Sequence, residues 1–470
     1  MATDLHIVML PWSAFGHLIP FIHLAIALAK AGIRVSFLST PRNIQRLLKL
    51  PLNLEATINF VELPFPLVND GNHLLEDMEA TVDLPSEELL PNFVAVYDLL
   101  RHPFKQFITT ELPDWIIQDF MPHWAVEVAQ EFGLKVICFS ALGAAAMAFA
   151  GPPEYMTGDE FKRVRPSPES LTFTPNWITF PSSITLRPYE ANSYYGAFHE
   201  GTICERVAAV LQGCQAFAIR SSSEFEGEYI KVLEKIYRKP VITVGLLPPV
   251  QLPSMGRELE SEEWCRKLQW LNEQKPKSVV FVGFGSESKL RKVQVDEIAY
   301  GLELSNLPFL WALRKPHWAT EVADILPDGF NNRIADHGVV YLGWAPQLQI
   351  LSHPSIGGSL FHAGWGSIIE TLQYVDRLVV LPLMNDQGLN AKLLVEKGLA
   401  IEVDRNEDGS FHREAIAKSL RQAMVSEGES LSLKAREVKR IIGDQTLDQD
   451  YYIGGLVQYL RNGAAKKNLS

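Results

Sequence analysis

The sequence is poor in cysteine and lacks any apolar run long enough to span a membrane. Its four cysteines, at positions 138, 204, 214 and 265, form no C-x-x-C pair. Four cysteines in 470 residues exclude a disulfide framework and favour free thiols in a reducing compartment. The longest uncharged apolar stretch, 136–150, is shorter than the roughly 20 residues that a membrane-spanning helix needs.

Positive charge is also scarce, and it is nowhere clustered. The chain has 43 Lys and Arg against 55 Asp and Glu, a net charge of −12, so nucleic acid and anionic membranes are not expected as partners. Asp4 precedes every Lys and Arg, and an apolar strand follows instead of a cleavage site, which is unlike a signal peptide. We therefore expect a cytoplasmic protein without a membrane anchor.

The remaining composition is that of a globular protein. Hydrophobic residues make up 47% of the chain and charged residues 21%, which excludes disorder, collagen and a coiled coil as the main state. A chain of this length is expected to form two or three domains.

Strand-like and helix-like segments alternate along the chain. Residues 5–10 form an apolar run, and a helix is predicted over 20–30 with Pro20 in its first turn. Residues 33–38 form the next apolar strand, which completes a β-α-β unit and predicts a parallel sheet. The same alternation recurs up to the strand-like run at 216–219.

A break in this pattern separates two halves of the chain. Residues 246–262 are rich in proline and end in a charged run, which is typical of a linker. A second series of strands and helices begins at the apolar run 278–283. We therefore predict an α/β protein of two facing Rossmann-like domains, with an interdomain cleft lined by the carboxyl ends of the strands.

Two residues of the first half are candidates for proton transfer. His17 lies in the turn after the first strand, just before the predicted helix, where a doubly wound sheet presents side chains to a ligand. Asp119 ends the strand predicted over 114–119 and would orient His17 and stabilise its imidazolium. The alternatives are a surface or capping histidine and an aspartate that caps the following helix.

The first strand of the second half ends in a glycine-rich turn, Gly283-Phe284-Gly285-Ser286. Backbone amides and a hydroxyl in such a turn are suited to a phosphate oxygen. Ser288 occupies the place of the third glycine in G-x-G-x-x-G, and no Gly-Lys-Ser/Thr follows. The turn is therefore neither a dinucleotide fingerprint nor a P-loop, and a close-packed turn is the alternative.

The segment 344–387 concentrates side chains that suit a nucleotide sugar. Trp344 offers a ring face for a base, and Glu370 offers acceptors for a ribose diol. The helix predicted over 367–373 begins with free amides that attract a diphosphate, and Asp386-Gln387 offers partners for sugar hydroxyls. The alternative is a loop-rich α/β module with a buried tryptophan.

In order, spacing and length, this segment resembles the donor-binding signature of the plant family-one UDP-sugar-dependent glycosyltransferases, from Trp-Ala-Pro-Gln to Asp-Gln. The turn at His17 and the strand end at Asp119 are similar to the catalytic pair of that family. The resemblance extends over the whole chain and implies the B-type glycosyltransferase (GT-B) fold. It implies an acceptor-binding domain over 1–245, the linker 246–262, a donor-binding domain over 263–450 and a final helix, 451–470, that packs back on the first domain.

The resemblance also implies a set of donor-binding residues. Trp344 would stack on uracil and Glu370 would hold the ribose. His362 and Ser367 would contact the diphosphate, assisted by Ser286. Trp365 and Asp386-Gln387 would face the sugar. The full set implied is Ser286, Trp344, Ala345, Gln347, His362, Gly364, Trp365, Gly366, Ser367, Glu370, Asp386 and Gln387.

Two positions depart from the family pattern. Ala363 stands where the family usually has Cys, and Gly366 stands where it usually has Asn. The glycine removes an amide side chain beside the phosphate and the sugar. Gln387, at the end of the segment, is similar to the residue that glucose-using members have there. Residues 39–43 and 245–249 are similar to the corresponding segments of the branch that adds glucose or rhamnose to an existing glycoside.

The implied activity is inverting transfer of a sugar from UDP-glucose or UDP-rhamnose to a hydroxyl of a small plant metabolite, such as a flavonoid or terpenoid glycoside. The UDP-sugar would be a co-substrate, with no other cofactor and no metal, and we expect a monomer. The alternatives are a non-catalytic UDP-sugar-binding protein and a dehydrogenase, and the missing third glycine counts against the second. The implied acceptor site includes six side chains that are also ordinary core candidates: Phe15, Phe120, Met147, Phe149, Tyr194 and Phe198.

Overall fold

A computed structural model describes residues 5–47, 49–66, 77–199, 202–249, 261–444 and 446–465. Most of the predicted linker and the last residues of the predicted final helix lie outside these ranges. The described strands form two separate parallel sheets. We call the part of the chain that carries the first sheet the first unit, and the part that carries the second sheet the second unit.

The first sheet contains the strands of the N-terminal half in the order β3-β2-β1-β4-β5-β6-β7. These strands are β1 His6–Leu10, β2 Arg34–Ser39, β3 Ile58–Glu62, β4 Trp115–Gln118, β5 Lys135–Ser140, β6 Ala216–Ile219 and β7 Val241–Thr243. Every residue of β1 is buried, because helices cover both faces of a parallel sheet. The helices of this unit are α1 Phe15–Lys30, α2 Pro41–Arg46, α3 Leu90–Asp98, α4 Arg101–Glu111, α5 Trp124–Glu131, α6 Ala144–Ala150, α7 Gly158–Val164, α8 Pro188–His199, α9 Thr202–Gly213 and α10 Ser223–Tyr237.

The second sheet has the order β10-β9-β8-β11-β12-β13. Its strands are β8 Val279–Gly283, β9 Phe309–Leu313, β10 Gly338–Leu342, β11 Ile356–Phe361, β12 Arg377–Val380 and β13 Ala400–Glu402. The helices of this half are α11 Glu262–Glu273, α12 Lys292–Ser305, α13 Phe330–Arg333, α14 Gln347–Leu351, α15 Trp365–Tyr374, α16 Gln387–Glu396, α17 Arg413–Arg421, α18 Gly428–Ile442 and α19 Gly454–Ala465. Two parallel sheets, each flanked by helices, confirm the predicted α/β fold with two Rossmann-like domains.

Helix α1 begins at Phe15, so the predicted start at Pro20 is wrong. The amides of His17 and Leu18 both donate to the carbonyl of Ala14, at 2.9 and 2.8 Å, and these bonds start the helix before the proline. Pro20 lies inside α1, where its missing N–H removes one helical hydrogen bond. His17 therefore belongs to the first turn of α1 and not to the preceding turn.

The end of the chain packs against the first unit. Leu456 and Leu460 of α19 are buried in an apolar cluster with residues of α1 and β1. The Trp115 indole of β4 donates to the carbonyl of Leu460 at 3.0 Å. None of the helices in the described ranges is both long and apolar enough to cross a bilayer.

The two units share a continuous apolar core. One cluster combines Phe149 and Phe217 of the first unit with Trp365 and Leu389 of the second. This packing brings the carboxyl ends of the two sheets, and the loops that follow them, to the same cleft.

Candidate active site

His17 and Asp119 meet because they follow neighbouring strands. β1 pairs with β4 in parallel, so both residues lie at the same edge of the sheet. The two residues are joined by a hydrogen bond of 2.8 Å between His17 Nδ1 and Asp119 Oδ2. Asp119 is fully buried and also accepts from the amide of Phe120 at 2.8 Å and from that of Trp12 at 3.3 Å.

This contact leaves Nε2 as the nitrogen of His17 that is available for a proton. Burial lowers the pKa of His17, but the charge and the hydrogen bond of Asp119 outweigh it, and the pKa is raised above 6.5. Asp386 and Glu287, both from the second unit, add to this rise. The imidazole therefore faces carboxylates on both sides of the cleft, which stabilise its protonated form.

Trp344 and Glu370 lie on the side of the cleft that the second unit forms. The Trp344 side chain is 54% exposed, and its ring contacts Phe15 of α1 edge to face at 5.7 Å between centroids. Glu370 Oε2 accepts from Gln347 Nε2 at 2.6 Å. Burial raises the pKa of Glu370. Ala345, also predicted here, is half-buried beside them.

The start of α15 has the character of an anion site. Its N-cap, Gly364, offers no side-chain cap, so the amides of the first turn, up to Ser367, are left without a side-chain acceptor. The His362 ring lies between two glycines, and a Cβ atom at Gly364 or Gly285 would come within 2.5 or 2.8 Å of its Nε2. Burial lowers the pKa of His362 to about 4, so this ring is neutral near pH 7 and offers a hydrogen bond without a charge.

Asp386 and Gln387 are held in place by the loop around them. Asn390 Nδ2 donates to Asp386 Oδ2 at 2.7 Å and to the carbonyl of Ala363 at 3.1 Å. Gln387 Oε1 accepts from the amide of Leu383 at 2.8 Å, which fixes the side chain. The side-chain oxygen of Gln387 is therefore bonded within the loop. The side-chain NH2 group of Gln387 is left to face a sugar.

Trp365 packs into the first unit. Its indole is 3% exposed and donates to the carbonyl of Arg220 at 2.8 Å. Its ring lies against Gly143, where a Cβ atom would come within 3.1 Å, and near Phe225. The Trp365 side chain thus packs across the boundary between the two units. Only the backbone amide of Trp365 lies at the start of α15 and faces the predicted anion site.

Of the predicted acceptor residues, Phe15 contacts Trp344, and the others whose side chains are described fall into two groups. Phe120 lies next to His17, and the centroids of the two rings are 5.5 Å apart. Met147 and Phe149 are buried in the core, and Tyr194 packs edge to face on Phe149 at 6.3 Å. The side chain of Phe198 lies outside the described residues.

Three residues near the site were not predicted. Glu287 follows the glycine-rich turn and acts on His17 through its charge. Asn390 lies one helical turn after Asp386, a spacing that the sequence displays. Arg220 follows β6 with its guanidinium beside Gly366, and no sequence pattern indicates that contact. In the ranges described, no group of three or more His, Cys, Asp and Glu side chains is arranged to hold a metal ion.

Comparison with known proteins places this arrangement in a family. A family described as UDP-glucoronosyl and UDP-glucosyl transferase matches residues 264–426. UDP-glycosyltransferase 91A1 of Arabidopsis thaliana is 41% identical over 469 residues, covering 97% of each chain. Soyasaponin III rhamnosyltransferase of Glycine max is 38% identical over 465 residues, covering 97% of this chain and 96% of its own.

The solved structures agree on the fold. UGT73P12 of Glycyrrhiza uralensis, complexed with glycyrrhetinic acid 3-O-monoglucuronide, superposes with a TM-score of 0.76 at 24% identity. The match covers 99% of this chain and 97% of that one. The identity of 41% and 38% to the two relatives, over nearly the whole chain, shows that the chain belongs to the plant family-one UDP-dependent glycosyltransferases and is an enzyme of that kind.

Proposed function

We propose that this glycosyltransferase moves glucose or rhamnose from its UDP-sugar, with inversion, to a hydroxyl of a small plant glycoside of the flavonoid or terpenoid class. The observation that carries the proposal is the His17–Asp119 pair at 2.8 Å, which has Nε2 free and lies opposite Asp386. The rhamnosyltransferase among the relatives and the monoglucuronide held by a structural neighbour support a glycoside as acceptor.

His17 is the general base in this proposal. Its Nε2 takes the proton of the acceptor hydroxyl while the oxygen attacks the anomeric carbon. The bond from that carbon to the phosphate oxygen breaks, and UDP leaves with the electron pair. Asp119 holds the ring through Nδ1–H and stabilises the imidazolium that forms. A single displacement of this kind inverts the anomeric configuration.

The second unit stabilises the departing UDP. The free amides at the start of α15 donate to the diphosphate, Ser367 and Ser286 add hydroxyl donors, and the neutral His362 ring packs beside them. Preorganised donors of this type are typically worth about 3 kcal/mol each in the transition state. Trp344 stacks on the uracil and Glu370 accepts from the ribose diol.

The sugar and the acceptor meet in front of His17. Asp386 and the NH2 group of Gln387 bind hydroxyls of the sugar. Phe120, next to the His17 ring, forms an apolar wall against the acceptor. The choice between glucose and rhamnose depends on these contacts at the sugar, and Gly366 leaves more room there than the asparagine usual in the family.

A donor screen tests the proposal. The purified chain is incubated with UDP-glucose, UDP-rhamnose, UDP-galactose or UDP-xylose and a panel of plant glycosides. Products are read by mass and by the one-bond carbon–proton coupling at the anomeric carbon, which distinguishes the two anomers of glucose and of rhamnose. We expect a new glycoside with inverted configuration from UDP-glucose or UDP-rhamnose. Transfer only to aglycones, or with retained configuration, would contradict the proposal.

His17→Ala separates catalysis from binding. The variant should lose transfer and still bind UDP, because His17 is not among the residues that contact UDP in this proposal. Near-normal turnover in this variant would contradict the role of His17. The alternative is a non-catalytic UDP-sugar-binding protein, which the glycine at position 366 in place of the usual asparagine suggests. Binding of UDP-sugars by the wild-type chain, without release of UDP in the presence of any acceptor, would favour this alternative.

A further inference from the structure

Arg220 is a buried cation of the first unit that lies beside α15 of the second unit. It follows β6 of the first unit and is 1% exposed. Its Nε donates to the carbonyl of Leu246 at 2.8 Å, and its Nη2 donates to that of Leu247 at 3.0 Å. Burial lowers the pKa of this guanidinium to about 10, so it stays charged at neutral pH.

The remaining nitrogen, Nη1, lies beside Gly366 in the first turn of α15 of the second unit. A Cβ atom built at Gly366 would lie 3.5 Å from Arg220 Nη1, which is an ordinary contact. Apart from the neighbouring residues and the backbone of α15 itself, no other described atom lies within 4 Å of that Cβ. Gly366 and Glu370 are four residues apart and share one face of α15. The hydrogen bond from the Trp365 indole to the carbonyl of Arg220 fixes this position.

The charge of Arg220 has no close counter-ion in the described part of the chain. Glu370 and Asp448 act on it only as charges at a distance, and its described hydrogen bonds go to main-chain carbonyls. A buried cation is costly unless an anion compensates it. The free amides at the start of α15 attract an anion to the same place.

We propose that Arg220 contacts the diphosphate of bound UDP across the cleft and supplies the donor group that Gly366 lacks. This inference rests on the proposed function and deepens it. The usual asparagine would present its amide from α15 itself. Here a charged group reaches the same place from the first unit, so that donor binding also draws the two units together.

Binding measurements on Arg220→Met test this role without relying on turnover. Calorimetry compares UDP with uridine, which shares the base and the ribose but has no phosphate. Loss of one charged hydrogen bond should weaken UDP binding about 10- to 100-fold and leave uridine binding unchanged. Equal weakening of both ligands would show a structural role and overturn the proposal.

Arg165→Met is the matched control. Arg165 is also buried, donates to two main-chain carbonyls, those of Ser170 and Phe149, and has its pKa lowered to about 10 by burial. Its hydrogen bonds and its ring contacts are with Ser170, Phe149 and Trp177 of the first unit, so its loss should leave the UDP-to-uridine affinity ratio at the wild-type value. A ratio that falls as far in Arg165→Met as in Arg220→Met would overturn the proposal.

Gly366→Asn provides the rescue. In the Arg220→Met background, the asparagine amide should restore part of the lost UDP affinity, and in the wild-type background it should add little. Absence of rescue in a double variant that binds uridine normally would overturn the proposal. If Arg220→Met does not fold, Gly366→Asp is compared with Gly366→Asn. The carboxylate beside Nη1 should weaken UDP binding alone, and equal UDP affinities in the two variants would again overturn the proposal.

The proposed role of Arg220 and the proposed function can be refuted separately. Absence of transfer in the wild-type chain would refute the proposed activity and leave the UDP and uridine affinities measurable. Conversely, normal transfer together with an unchanged UDP-to-uridine ratio in Arg220→Met would refute only the role of Arg220.

Discussion

Replacing Asp119 by asparagine exchanges one oxygen of the His17–Asp119 pair for an NH2 group at nearly constant volume. The asparagine oxygen can still accept from the amide of Phe120, which donates to Asp119 Oδ1 at 2.8 Å. The NH2 group would then lie where Oδ2 accepts from His17 Nδ1. It can only donate there, so Nδ1 must become an acceptor and the ring proton must move to Nε2.

In the proposed mechanism this change of tautomer removes the general base. A proton on Nε2 prevents that nitrogen from taking the proton of the acceptor hydroxyl. General-base catalysis typically contributes about 10²–10⁴-fold to the rate, which is about 3–5 kcal/mol of the barrier. We therefore expect kcat of Asp119→Asn to fall by a factor in that range, with the KM for the UDP-sugar little changed because Asp119 does not reach the second unit.

The pH profile provides a second readout. In the proposed mechanism neutral His17 is the active form, so we expect the rate of the wild-type enzyme to fall as the pH falls through the pKa of His17, which Asp119 raises above 6.5. Without the carboxylate this pKa drops, and the acid limb of the residual activity moves to lower pH. UDP release measured between pH 5 and pH 9 would record both effects.

The control is a buried aspartate outside the cleft. Asp376 is 3% exposed and pairs with Lys277 and Lys439, so Asp376→Asn should keep its kcat and its acid limb. An Asp119→Asn variant with wild-type kcat and an unmoved acid limb would refute the reasoning about the His17 tautomer.

Three further predictions concern the donor site and the fold. Trp344→Ala should weaken uridine and UDP binding alike, by about 1–3 kcal/mol if the exposed indole stacks on the base, and unchanged calorimetric affinities would contradict this. The wild-type chain should prefer UDP to 2′-deoxy-UDP, and Glu370→Gln should reduce that preference, because the charged acceptor for the diol is lost; an equal preference in both would exclude Glu370 as the ribose ligand. Asp376→Asn should lower the free energy of unfolding at pH 7 by about 1–3 kcal/mol, the usual cost of removing one partner of a partly buried hydrogen bond. Because the pKa of Asp376 is lowered below 3.8, its contribution is present above that pH and is lost as the pH falls through the folded pKa, so urea titrations should show the two proteins converging in acid.

Much of the fold could be predicted from local sequence. Buried parallel strands such as β1 and β8 have both faces covered, so they appear as continuous apolar runs. The start of α1 was misplaced because proline favours the first turn of a helix, whereas the bonds of His17 and Leu18 to Ala14 had already begun the helix.

The sequence also determined which residue types stand at the ends of the strands, and the order and spacing of the signature segment. Those features arise from residues close together in the chain, and they suffice to indicate a nucleotide-sugar site. The catalytic and binding roles assigned to them stay predictions until the variants above are measured.

Only the tertiary structure decided which side chains meet. His17 and Asp119 are 102 residues apart, and the Trp365 indole bonds to the carbonyl of a residue 145 positions earlier. The neutral state of His362, the burial of Trp365 between the units and the approach of Arg220 to Gly366 all follow from how the two sheets pack together. Local periodicity has no information about such contacts, because burial and electrostatic fields depend on the whole set of neighbours that folding assembles.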